Sequence, residues 1–131
     1  MCLSKITQTE NLPEEVVGWK VFVEGDKLNS LRTPVVGTTV YVDTWNLAGQ
    51  ETIYIDHFVG AKARSYSSGF HAYQTEKDTR MSYLTLIPYK AVVRKVRLRN
   101  LVCAGRGDGL DKESPQWVAR EMWIEGNEPQ S

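Results

Sequence analysis

The longest strand signal in the chain, KAVVRKVRLRNLVCAG (90–105), narrows the folds open to it more than any other stretch. In its middle Val96 and Leu98 fall on one face of an extended strand, and Lys95, Arg97 and Arg99 on the other. That period of two is the signature of a strand with one apolar and one charged side.

Other segments read the same way. GWKVFV (18–23) is rich in β-branched and aromatic residues and runs into a turn at EGDK. TPVVGTTVYVDTW (33–45) and ETIYIDHF (51–58) are two further strand-like runs, with NLAGQ between them as turn material. VGAKARSYSSG (59–69) has no sustained period and many small residues, so it reads as a loop. FHAY is a short strand, and WVAREMWIE closes the pattern as another. Between them Thr75, with Asp78 three residues on, resembles a capping box in which Asp replaces Glu. A helix over about 75–87 follows, stopping before Pro88. GRGDGLDKESPQ is a Gly- and Asp-rich connection; its Arg-Gly-Asp tripeptide is a chance match, and neither a Walker pattern nor a complete GxGxxG accompanies it.

A chain of 131 residues, 41% apolar and 24% charged, has the size and composition of one globular domain. The expected fold is therefore α+β: a mainly antiparallel sheet with one principal helix at about 75–87, in a single domain over 1–131 with a flexible tail after about 126. No apolar run reaches the roughly 18 residues of a membrane span, so no membrane is expected among the partners. The opening MCLSKITQTE lacks an apolar h-region, and a cytoplasmic location is expected. There Cys2 and Cys103 are two free thiols, and Cys103 reads as a small buried hydrophobe. His57 and His71 are spaced poorly for metal ligation, so no metal and no cofactor are expected.

Formal charge is zero, 16 cations against 16 acids, but unevenly spread. Residues 57–75 hold no carboxylate and contain Lys62 and Arg64; residues 90–107 hold none and contain Lys90, Arg94, Lys95, Arg97, Arg99 and Arg106. Such segregation produces a local positive field in a neutral protein, though a solvated strand face has the same pattern. In FHAY, Phe70 and Ala72 take the core face while His71 and Tyr73 project together beside the 59–69 loop. Lys62, Arg64, Tyr66, His71, Tyr73 and Arg97 then form a candidate binding site for an anionic, nucleotide-like small molecule, cations on phosphate and rings on base or ribose. A packed histidine bonded to backbone accounts for His71 equally well. A serine hydrolase is weakly supported, since Ser65, Ser67, Ser68, His57 and Asp56 lack a GxSxG elbow.

MCLSKI, GWKVF, SGFHAYQTEKDT, AVVRKVRLRNLV and WVAREMWIE, in that order, resemble small uncharacterised proteins encoded by bacteriophages and prophages. The segment from Ser30 to Ala63 carries none of that resemblance, and no catalytic motif comes with it. It implies the cytoplasm of an infected bacterium and a protein that acts on host machinery or host defence. The leading expectation is an immune-evasion factor that sequesters a phosphorylated nucleotide-like molecule, in a pocket that two protomers of so small a domain can share. The alternative is a protein that binds and inhibits a host protein through the 94–99 face. An enzyme with His71 as acid or base, partnered by Glu121, ranks below both. Zero net charge argues against nucleic acid as the partner.

Overall fold

The computed structural model describes residues 3–25, 28–33, 38–49, 52–55, 64–67, 69–83, 91–107 and 114–126. Its centre is a long antiparallel pair, β9 (Ala91–Gly107) and β10 (Pro115–Ile124). Each outer edge of that pair carries two strands end to end. Along β9 run β2 (Glu15–Glu24) and then β1 (Leu3–Gln8). Along β10 run β8 (Phe70–Tyr73) and then β5 (Trp45–Leu47). The short strands β3 (Ser30–Arg32) and β4 (Thr39–Tyr41) continue the sheet beyond β2. β6 (Thr52–Ile55) and β7 (Arg64–Ser67) form a separate two-stranded sheet. Every pairing is antiparallel.

The main sheet returns to its start. β2 pairs with β9, β9 with β10, β10 with β8, and β8 returns to β2 through the single register pair Trp19↔Tyr73. Closing the ladder gives the strands an inside, and the inward residues of each strand fill it: Phe22, Val40, Phe70, Ala72, Val96, Leu98, Ala119, Met122 and Ile124. Leaving water stabilises such side chains by roughly 1.5–3 kcal/mol each. On β9 the inward set changes parity at Asn100, with φ 54°, from Val96 and Leu98 to Leu101, and it changes back at the register shift opposite Val118 and Ala119. A bulge of this kind re-aims every side chain beyond it. Cys103 consequently faces outward with Val118, where Leu3 and Ile6 of β1 cover both.

One helix is described, α1 (Glu76–Tyr83), lying against β2, β8 and β9. Thr75 caps it: its Oγ1 accepts from the Asp78 backbone N–H at 3.2 Å and donates to Asp78 Oδ2 at 2.7 Å. Arg80 and Glu76 pair one turn apart at 2.7 Å. α1 falls within the 75–87 expectation, whose residues from 84 on lie outside the described residues. No described helix is long and apolar enough to cross a membrane.

The mostly antiparallel sheet with one short helix agrees with the sequence reading. Several details differ. Arg64–Ser67, read as loop, is strand β7, because its partner is the distant β6. The run 33–45 is broken: Asp43, at φ 57°, turns the chain between β4 and β5. Leu3–Gln8 was not anticipated as a strand and is held on by the β9 edge. β9 runs past the expected strand end at Gly105 to take in Arg106 and Gly107, read as loop, while 108–113, Cys2 and the expected tail from 127 lie outside the described residues.

Candidate functional site

On the outer side of β9 the alternation that buries Val96 and Leu98 presents Arg97 and Arg99. Register aligns them with side chains of three other strands. One row across the sheet reads Val17, Arg97, Trp123, Trp45; the next reads Glu15, Arg99, Glu121, Leu47. Two tryptophans thus stand beside two arginines. The rings of Trp45 and Trp123 meet edge to face, centroids 5.7 Å apart. The Arg97 guanidinium lies 5.3 Å from the Trp45 centroid and 6.0 Å from that of Trp123, and Arg99 lies 3.8 Å from Trp45. Cations over indole faces are attracted by the ring quadrupole.

Each arginine is also held by a carboxylate in a fork. Arg97 donates through Nε and Nη2 to Glu15 at 3.1 Å each. Arg99 donates to Glu121 at 3.0 and 2.9 Å, and Asn100 Nδ2 donates to the same carboxylate. These bonds, Arg99 first, hold the Glu121 carboxyl below its ordinary pKa, and Glu15 raises that of Arg97. The face is nevertheless open: Val17 is 40% and Leu47 75% exposed.

His71 and Tyr73 sit elsewhere. They do alternate away from Phe70 and Ala72, as the pattern indicates, but both are buried. The His71 Nδ1–H donates to the Gly69 carbonyl at 3.1 Å. Burial first, and then the Lys20 ammonium, push its pKa down to about 3, so the ring is neutral at pH 7. Lys20 reaches the seam between β2 and β8 and donates to the His71 carbonyl at 2.6 Å. Burial pushes that ammonium down to about 8.

Of the six expected site residues, His71 and Tyr73 are therefore not gathered with Arg97, and the other three have no described side chains. Val118 stands opposite both His71 and Cys103, and Cys103 is six residues along β9 from Arg97. At about 3.3 Å per residue that is roughly 20 Å. Lys62 lies outside the described residues; Arg64 and Tyr66 are placed on β7, but their side chains are not described. His71 and Glu121 do not form an acid–base pair, since Glu121 is engaged by Arg99 and Asn100. Among the described residues no group of three His, Cys, Asp or Glu side chains is placed to hold a metal ion.

The sequence reading had Arg97 and missed the tryptophans. One signal was available: Met122 and Ile124 face inward, so Trp123 between them is a large aromatic on the polar side. Trp45 carried none, because its contact with Arg97 joins strands more than fifty residues apart. Comparison of the chain with protein-family models, with curated proteins and with solved structures finds no match in any of the three.

Proposed function

We propose that this is a binding protein rather than an enzyme, and that it docks a protein partner on the Trp45–Trp123–Arg97–Arg99 face. The observation that carries this reading is the pairing of two indoles with two forked guanidiniums on an open sheet face. Tryptophan and arginine are the residue types most enriched among the energetic anchors of protein interfaces. Here they are pre-ordered by mutual stacking and by the two carboxylates, so little side-chain entropy remains to be lost on docking. The same carboxylates favour protein over nucleic acid, because a phosphate backbone would meet arginines already neutralised. In the setting that the phage resemblance implies, the partner is a host protein in the bacterial cytoplasm.

The nucleotide-sequestration reading has less support. Its central histidine is buried and neutral, and its cation Arg97 lies roughly 20 Å away along β9. The test is photo-crosslinking in bacterial lysate from a reactive residue at Leu47, with one at exposed Thr9 as control. Adducts from Leu47 that disappear with Trp45→Ser support the docking face. Adducts indifferent to Trp45→Ser overturn it.

A further inference from the structure

The two ion pairs on this face differ in a way that singles out one arginine. Glu121 is only 12% exposed and is held by both Arg99 and Asn100. Glu15 is 42% exposed and, among the described residues, its side chain is bonded to Arg97 alone. It is the first residue of β2, and no described strand pairs with Glu15–Val17 on the side away from β9. The described residues just before it, Thr9–Asn11, Pro13 and Glu14, are exposed. Glu15 can therefore swing away while Arg97 stays, stacked on Trp45 and Trp123.

We infer that Glu15 is an internal stand-in for a partner's carboxylate, and that the face takes an acidic–apolar peptide segment whose Asp or Glu displaces Glu15 from Arg97. This rests on the docking reading above and names its chemistry. The incoming carboxylate takes over the forked pair on the guanidinium. The neighbouring apolar side chains of the segment lie against Trp45, Trp123 and exposed Leu47. Charge is complementary: Lys95, Arg97 and Arg99 stand against Glu15, Glu121 and Glu125 at rest, and against two carboxylates once Glu15 has left. Exchange of one exposed pair for another costs little, since such a pair is worth about 0–1 kcal/mol.

The experiment uses the full chain and two labelled peptides, one alternating Leu with Asp and Glu, the other carrying Asn and Gln in their place. Titration by fluorescence anisotropy should show the acidic peptide binding Glu15→Gln about two- to fivefold more tightly than the original protein, the worth of the exposed pair removed. Arg97→Gln should weaken it by about tenfold, as losing a charge-assisted bond does, and the neutral peptide should not respond to Glu15→Gln. The inference is overturned if the acidic peptide fails to bind, if both peptides bind alike, or if Glu15→Gln changes nothing. Self-association or oligothymidylate binding that Arg97→Gln abolishes overturns it too, by giving the face another occupant. In each of these cases Trp45-dependent crosslinking from Leu47 separates a wrong partner chemistry from a wrong docking face.

Discussion

Lys20 carries an ammonium into the closed sheet, where Phe22 and Gly18 are its neighbours on the same side of β2 and the His71 carbonyl is its one acceptor among the described residues. A lone hydrogen bond does not offset the desolvation of a charge, so the charged form is disfavoured in the folded state. The sign of the pH effect follows. Between about 8, the folded value, and 10.5 the unfolded chain still binds the proton that the folded chain has released, so stability rises with pH across that window. The full gain is about 3 kcal/mol at roughly 1.4 kcal/mol per unit. His71 acts the same way at lower pH: between about 3 and 6.5 only the unfolded chain takes up its proton, so stability climbs there and falls again on acidification. Urea denaturation across pH should thus show two rises with a plateau between 6.5 and 8. The Cys103 thiol, pushed up to about 11 by burial, works against the upper rise, so the comparison to make is with Lys20→Met. That variant should lose the alkaline rise and match or exceed the original protein at pH 7; an alkaline rise that survives Lys20→Met refutes the assignment.

At the scale of elements, the join between β4 and β5 depends on one side chain. Asn46 Oδ1 accepts from the Tyr41 backbone N–H and its Nδ2 donates to the Tyr41 carbonyl, both at 2.9 Å, as a neighbouring strand would. The same Nδ2 also donates to the Met122 carbonyl at 3.2 Å, which ties the turn to β10. Asn46→Ala leaves these backbone groups without the amide and should cost about 1–3 kcal/mol in urea denaturation. Asn46→Asp should cost more, because an acceptor then faces the Tyr41, Thr44 and Met122 carbonyls; a cost below about 0.5 kcal/mol for both would show that the join does not need the amide. Nothing in NLAGQ, read as turn material, marks Asn46 in advance, since a local pattern cannot say that a side chain will stand in for a strand. Where packing follows from alternation alone, as along Val96–Arg99 or in the placing of Phe70 and Ala72 against His71 and Tyr73, the sequence was readable. Whether an outward face is wet or covered depends on what the rest of the chain lays over it. For that reason alternation left His71 open between a ligand site and a packed histidine bonded to backbone, and it is buried and bonded to Gly69, while the Trp45 face is open.

For the molecule as a whole, the question is what keeps the sheet closed, because β8 meets β2 in the backbone only at Trp19↔Tyr73. Continued in register, the next pair would be Val21 with His71, and there the ladder stops. Lys20 Nζ supplies the donor to the His71 carbonyl instead. On the other side of the single pair stands Gly18, whose missing Cβ lets the strands approach: a carbon there would lie 3.0 Å from the Tyr73 carbonyl oxygen, 3.2 Å from Ala72 Cβ and 3.3 Å from Leu98 Cδ1. Backbone oxygen and two core side chains have little room to yield, so a larger residue must push β8 outward. Gly18→Val should therefore destabilise by about 1–3 kcal/mol, the usual cost of overfilling a packed site. Location is the sharper test. Amide hydrogen exchange should accelerate at Trp19, Tyr73 and the rest of β8 well before it does along β9 and β10, whose long pairing does not pass through the seam. Uniform acceleration over all strands would mean that the sheet opens as one unit and that the seam is not its weakest line.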